Sequence, residues 1–282
     1  MAAQLLSGSN DSSICIWDLK EAGLEVQPLR KILNAHSGTV EDVDWHKQYD
    51  FLFAAVGDDH HVTLWDTRQP CTSPSNRVEN AHNGDVHCLA FNAFSEFLLA
   101  TGGADKCVSL WDLRNITERV HSFEGHDEEI MMVSWAPFSD TTFASCSADR
   151  RVNIWDVSKV GEEQSPEDAE DGPPELIFSH GGHTSRVSDF SWNANDQWVI
   201  ASVEEDNSLQ VWQLVCLDFP CARVPFLNPQ SNTLPPLPPA PIPLERRPRP
   251  FLAMTRRQTR TTRTSRSSRR RSKRESSYLR FV

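Results

Sequence analysis

The sequence predicts an all-β protein: an incomplete β-propeller of about five blades out of an expected seven, with a disordered C-terminal tail. Four times a histidine is followed 29 residues later by a tryptophan, and these pairs recur with a period of about 45 residues. Between them, apolar and polar residues alternate around short turn sequences such as GADK and SADR, as in half-buried strands. Repeats of this length each build one four-stranded blade.

Each repeat carries the same polar and aromatic residues. An aspartate lies six residues before the tryptophan, and a Ser or Thr lies four residues before that aspartate, except at Ala55. The pattern resembles the WD-repeat β-propeller, in which these side chains and the histidine form a buried hydrogen-bonded chain. We call each set a tetrad. The predicted members are His36, Asp59 and Trp65; His82, Thr101, Asp105 and Trp111; His126, Ser145, Asp149 and Trp155; and His183, Ser202, Asp206 and Trp212.

The repeats predict the domain organisation. Residues 1–214 form the propeller, with repeats at about 5–33 (partial), 34–80, 81–124, 125–181 and 182–214. Because the first repeat lacks its innermost strand, we expect an open arc with two exposed edges. Residues 215–254 are a Pro-rich linker, and residues 255–282 are an Arg/Ser-rich tail that cannot bury a core.

Charge is distributed unevenly along the chain. The whole sequence has 28 Lys+Arg and 39 Asp+Glu, a net charge of −11. Residues 245–282 hold 14 basic and 2 acidic side chains, which leaves 14 basic and 37 acidic side chains, a net −23, in the rest. An acidic body favours basic partners, although ordinary solubility explains net charge equally well. No cysteine spacing suggests a metal site, and we expect neither a cofactor nor a catalytic residue.

The segments NAHSGTVEDVDWH, SEFLLATGGADK and DNSLQVWQ, and an acidic insertion from Gly161 to Pro174, resemble the retinoblastoma-binding, MSI-like histone-binding WD-repeat proteins, the family of the chromatin assembly factor small subunit. The likeness covers roughly residues 5–213 and lacks the family's N-terminal blades and both terminal helices. It implies a nuclear, non-catalytic scaffold that holds core histones for chromatin assembly, deacetylase, acetyltransferase or Polycomb complexes, with a cytoplasmic pool as an alternative.

The resemblance implies two binding surfaces. The first is the insertion, whose carboxylates and following apolar residues would hold a basic amphipathic histone helix. Its residues are Glu167, Asp168, Glu170, Asp171, Pro173, Pro174, Leu176, Ile177 and Phe178. The second is a ring of side chains at the top of the propeller that would hold a basic peptide. Its residues are Glu41, His87, Glu129, Met131 and Glu205.

Other readings remain open at this point. Arg68 and Arg114 follow Trp-Asp pairs in a WDxR pattern that resembles adaptor contacts of cullin ubiquitin ligases, so a ligase substrate receptor is one alternative. A non-functional truncated fragment is another. The basic tail has three interpretations: a nuclear import signal, a nucleic-acid contact, or sequence from outside the true reading frame.

Overall fold

The computed structural model describes residues 4–18, 28–165, 169, 172–214 and 278–280. In this part of the chain the regular structure is almost entirely β-strand, with a 3-10 turn at Val157–Lys159. The strands form five small antiparallel sheets, which confirms the predicted all-β, incomplete propeller. We number the sheets as blades 1 to 5 in chain order.

Three complete blades have four strands each, in the order inner, second, third and outer. Blade 2 contains β4 (Val40–Trp45), β5 (Leu52–Gly57), β6 (Val62–Asp66) and β7 (Asn76–Val78). Blade 3 contains β8 (Val86–Phe91), β9 (Leu98–Gly103), β10 (Cys107–Asp112) and β11 (Arg119–Glu124). Blade 4 contains β12 (Ile130–Trp135), β13 (Thr142–Ser147), β14 (Val152–Asp156) and β15 (Leu176–His180).

The two end blades differ from this plan. Blade 1 contains β1 (Gln4–Gly8), β2 (Ile14–Asp18) and β3 (Arg30–Ile32), and its fourth strand is β19 (Tyr278–Arg280). Blade 5 has three strands among the described residues, β16 (Val187–Trp192), β17 (Val199–Glu204) and β18 (Leu209–Gln213). Tyr278–Arg280 is the part of the predicted tail that the structure describes. The rest of the predicted linker and tail lies outside the described residues.

The turn between the second and third strands has one conformation in all five blades. The residue after the repeat aspartate has a positive φ in each, a backbone region that side chains disfavour. These residues are Ser12 (63°), His60 (65°), Lys106 (70°), Arg150 (71°) and Asn207 (60°). The repeated turn sequences predicted from GADK and SADR thus give one hairpin geometry per blade.

The hydrophobic core lies between the blades. Four buried clusters join blades 1 and 2, 2 and 3, 3 and 4, and 4 and 5, because one face of each sheet packs on the next sheet. Buried polar groups add specific bonds between inner strands. Asp42 and Asp44 of β4 accept hydrogen bonds from the backbone N–H groups of Leu89 (3.0 Å) and Phe91 (3.2 Å) in β8.

Candidate functional site

Blade 3 shows the complete tetrad. His82 Nδ1 lies 2.8 Å from Asp105 Oδ1, and His82 Nε2 lies 2.8 Å from Thr101 Oγ1, which also accepts a hydrogen bond from Trp111 Nε1 at 2.9 Å. Burial alone would raise the pKa of Asp105, but its hydrogen bond from His82 and a backbone N–H bond outweigh burial and lower the pKa. Both ring nitrogens of His82, the Thr101 hydroxyl and the Trp111 N–H are hydrogen-bonded, so the network fixes the loop before β8 against the blade.

Blade 4 repeats this geometry with Ser145 in place of the threonine. His126 lies 2.8 Å from both Asp149 and Ser145, and Trp155 Nε1 donates to Ser145 Oγ at 2.8 Å. The histidines in both blades are buried and fully occupied by these contacts. Their role in the described structure is therefore architectural.

Blade 2 completes its tetrad with a hydroxyl from another strand. Ala55 has no hydroxyl, and Thr63 lies opposite it in the register between β5 and β6. Thr63 Oγ1 lies 2.9 Å from His36 Nε2 and accepts a hydrogen bond from Trp65 Nε1 at 3.0 Å. His36 Nδ1 contacts Asp59 Oδ1 at 2.8 Å, so the network is closed.

Blade 5 differs from the prediction at its acidic member. Asp206 is exposed, and Glu204 is buried beside His183 instead, with Glu204 Oε2 at 3.3 Å from His183 Nδ1. Glu204 also accepts hydrogen bonds from the backbone N–H groups of Thr184 (2.7 Å) and Ser185 (2.9 Å). The longer side chain reaches the loop from two residues earlier, inside β17. The prediction of Asp206 as a tetrad member is therefore corrected to Glu204.

The remaining contacts of this tetrad match the other blades. Ser202 Oγ lies 2.7 Å from His183 Nε2 and accepts a hydrogen bond from Trp212 Nε1 at 3.1 Å. Burial lowers the pKa of His183, although the neighbouring Glu204 carboxylate acts in the opposite direction.

The acidic insertion is described only at its ends. Glu167, Asp168, Glu170 and Asp171 lie outside the described residues. Pro173 and Pro174 are half-buried, and the apolar residues that follow form the outer strand of blade 4. Leu176 packs against the core between blades 3 and 4, whereas Ile177 and Phe178 pack against the core between blades 4 and 5. Part of the predicted apolar binding face thus already contributes to the propeller core.

A contact between a glutamate and a histidine holds the C-terminal end of the insertion. Glu175 is buried, and its Oε1 lies 2.9 Å from Nε2 of His121 on the outer strand of blade 3. The backbone carbonyl of Glu175 also accepts a hydrogen bond from the N–H of Asp156 at 2.9 Å. The sequence interpretation missed this pair, because the two residues are 54 positions apart and belong to different repeats.

The tetrad loops and the turns after the second strands lie at one end of the blades, which we call the tetrad end. Two predicted carboxylates contact one arginine there, and the predicted His87 lies beside one of these carboxylates. Arg186 Nη1 lies 3.4 Å from Glu129 Oε1, and Arg186 Nη2 lies 2.8 Å from Glu205 Oε1. His87 Nε2 is 3.5 Å from the other oxygen of Glu129. We call Glu129, Glu205, Arg186 and His87 the paired cluster.

Arg186 is the residue that sequence reasoning missed at this end. It lies three positions after the repeat histidine, as Glu129 does in its own repeat, and that shared position could have identified it. Met131, predicted beside the carboxylates, is half-buried and packs against the core between blades 4 and 5. Its side chain therefore contributes to packing between these blades.

Glu41, at the boundary between blades 2 and 3, is surrounded by other carboxyl groups. Its pKa is raised to about 7, first because burial disfavours its charge and then because the Asp58, Asp85 and Asp42 carboxylates lie nearby. The His60 ring also lies beside this group, with Nε2 at 3.4 Å from Asp85 Oδ1. We call Glu41, Asp58 and Asp85 the crowded cluster. A positive charge placed there would relieve the repulsion and remove the proton from Glu41.

The opposite end of the blades carries two arginines held in the same way. Arg68 and Asp66 form a two-point ion pair, with Nη2 to Oδ2 at 2.7 Å, and the guanidinium lies 3.5 Å from the centre of the Phe51 ring. Arg114 repeats this pair with Asp112 and lies 4.6 Å from the ring centre of Phe97. Both side chains remain mostly exposed. Stacking and pairing thus orient two separate cations on neighbouring blades.

Comparison with known protein families agrees with this architecture. The family model described as "WD domain, G-beta repeat" matches residues 2–18, 27–66, 74–112, 117–156 and 174–213, which together make up more than half of the chain. In the described residues, no group of three or more His, Cys, Asp or Glu side chains could hold a metal ion. No helix in the same part of the chain is long and apolar enough to cross a membrane.

Proposed function

Because the chain belongs to the WD domain, G-beta repeat family, a scaffold-type domain for protein interactions, we propose that it binds core histones through the crowded cluster. In this proposal it is a nuclear, non-catalytic subunit that presents histones to chromatin assembly, remodelling or histone-modifying complexes. WD-repeat propellers are generally non-catalytic scaffolds, which agrees with this role.

The crowding of carboxyl groups around Glu41, which raises the pKa of Glu41 to about 7, is the feature that supports the proposal best. Three carboxyl groups crowd together at the tetrad end, and a Lys or Arg side chain is the chemical group that would stabilise them. The net charge of −23 outside residues 245–282 adds a long-range attraction for a basic tail. A core-histone N-terminal tail is a basic, extended peptide of this kind.

The acidic insertion supports a second contact in the same proposal. Its carboxylates follow one another on a segment whose C-terminal end is fixed to blade 3 through Glu175 and His121. A basic amphipathic helix would pair with these carboxylates. Since Leu176, Ile177 and Phe178 partly pack into the core, we assign most of this contact to charge.

The test measures proton release when a peptide binds. Near pH 7 about half of the Glu41 side chains carry a proton, and a bound cation should displace it. Titration calorimetry with a core-histone tail peptide, in phosphate and in Tris at pH 7, should therefore give different apparent enthalpies that correspond to about half a proton released. Glu41→Gln should abolish the buffer dependence and weaken binding about fivefold.

The controls separate the two contacts. A peptide with every Lys and Arg replaced by Gln should not bind. Replacing Glu167, Asp168, Glu170 and Asp171 by Ala should weaken binding of full-length histones and reduce its salt dependence, yet leave the proton release by the tail peptide unchanged. Folded protein that binds no histone, or equal proton release by Glu41→Gln, would contradict the proposal.

A second candidate function rests on the opposite end of the blades. Arg68 and Arg114 form the same kind of ion pair on neighbouring blades, which supports docking of a ubiquitin-ligase adaptor, as their WDxR pattern suggests. In that case, adaptor binding would be lost when both arginines are changed to Ala and would be indifferent to the acidic insertion. Histone binding would show the opposite dependence.

A further inference from the structure

The fourth strand of blade 1 comes from the other end of the sequence. β19 (Tyr278–Arg280) pairs antiparallel with β1, at the position that the inner strands occupy in the other blades. It also lies beside β4, the inner strand of blade 2. The edge of β1 and the adjoining side of β4 thus form a place for one extended segment, which we call the strand site.

β19 pairs with β1 in the same register in which the inner strand of each other blade pairs with its second strand. Leu279 lies opposite Ser7, the residue that accepts the hydrogen bond of Trp17 Nε1 at 3.0 Å. The corresponding pairs in the other blades are Val43–Ala55, Leu89–Thr101, Val133–Ser145 and Phe190–Ser202. A shift of one residue would exchange the two faces of the strand, so the agreement is specific.

The sequence of the C-terminal segment matches the inner strands as well. Each inner strand ends with an apolar residue, a variable residue and a large aromatic residue. These endings are Val43-Asp44-Trp45, Leu89-Ala90-Phe91, Val133-Ser134-Trp135 and Phe190-Ser191-Trp192. Leu279-Arg280-Phe281 has the same pattern, and its leucine is the residue that pairs with Ser7.

Trp45 marks a point where the strand site differs from the later blades. Trp135 Nε1 donates to the carbonyl of Ala90 at 3.0 Å, and Trp192 Nε1 donates to the carbonyl of Ser134 at 3.1 Å. Each acceptor is the variable residue of the preceding inner strand. Trp45 Nε1 is buried without a hydrogen-bond partner in the described residues, and the variable residue of the preceding strand would be Arg280. Arg280 belongs to the described strand β19, so Tyr278–Arg280 reproduces the register of an inner strand but not this tryptophan contact.

We infer that the strand site binds an extended segment of the pattern apolar, variable, aromatic, and that this chain fills it with its own C-terminal strand. Backbone hydrogen bonds to β1 supply affinity, and the alternating side chains supply register. The strand Tyr278–Arg280 is then a structural part of blade 1, although residues 215–277 separate it in sequence from blade 5. This inference is independent of the histone proposal.

The test uses hydrogen–deuterium exchange on the full chain. Leu279→Asp places a charge at a position whose counterparts are buried, so the amides of β1 should exchange at least tenfold faster. Arg280→Ser is the matched control, because Ser134 and Ser191 occupy the equivalent position, and it should exchange like the unaltered protein. The amides of β9 and β13 serve as internal references and should not change.

Adding the C-terminal sequence as a separate peptide tests whether the loss of β1 protection is due to loss of this strand. Ser-Ser-Tyr-Leu-Arg-Phe-Val, residues 276–282, should restore the protection of β1 in Leu279→Asp, and the same peptide with Asp in place of Leu should not. Unchanged exchange of β1 in Leu279→Asp, or equal rescue by both peptides, would overturn the inference.

Discussion

The two halves of the tetrad end have similar carboxylates in opposite electrostatic states. On blades 4 and 5, Glu129 and Glu205 share Arg186, so the chain supplies its own cation. On blades 2 and 3, Glu41 has Asp58 and Asp85 as neighbours, and its pKa rises to about 7. The number of carboxylates at the tetrad end therefore overestimates the negative charge that is available to bind a basic partner. What matters is which of them already have a partner.

Removing Arg186 should leave the carboxylates of both halves of the tetrad end without an internal cation. We expect this change to have the largest effect on the binding of a basic peptide. Arg186→Gln frees Glu129 and Glu205, so we expect about tenfold tighter binding of a basic histone tail peptide by calorimetry. Arg114→Gln, at the opposite end of the blades, removes the same charge and should leave affinity nearly unchanged. Equal tightening in both variants would mean that only net charge matters.

Glu41→Gln should show a pH-dependent effect on stability. The raised pKa means that the folded state holds the proton more tightly than the unfolded chain, so Glu41 contributes stability below its ordinary pKa of 4.5. That contribution is lost as the pH rises through about 7. Because the site is partly exposed, we expect Glu41→Gln to gain about 1 kcal/mol in free energy of unfolding at pH 8 relative to pH 5, measured by urea denaturation. A gain independent of pH would contradict this interpretation.

Glu205→Gln should have the smallest effect. It removes an exposed partner of Arg186, and exposed ion pairs contribute about 0.5 kcal/mol or less. We therefore expect its urea midpoint to stay within error of the unaltered protein at both pH values. A loss above 1 kcal/mol would show that the paired cluster contributes substantially to stability, in contrast to our comparison.

The sequence predicted the fold well because the repeat is local. The spacing from His82 to Trp111 lies within one blade, and the strands and turns between these residues are set by alternation and turn chemistry. The tetrad contacts of blades 3 and 4 involve the residues named from that spacing.

Contacts that cross strands or blades could not be predicted in the same way. Thr63 replaces the missing hydroxyl of Ala55 because the two residues are opposite in the sheet, which spacing along the chain does not reveal. Glu204 replaces Asp206 because a longer side chain reaches the same loop from another position. Arg186 joins Glu129 across a boundary between blades, and only the fold brings them together.

The buried pair of Glu175 and His121 has a consequence for how the insertion can vary. Val160, just before the insertion, packs against the core between blades 3 and 4, and Glu175, just after it, is fastened to blade 3. With both ends fixed, doubling the length of the intervening segment should cost only about 0.6 kcal/mol in closure entropy. The position is therefore suited to longer insertions and to grafted peptides, because a change in its length leaves the packing of the blades beneath it intact.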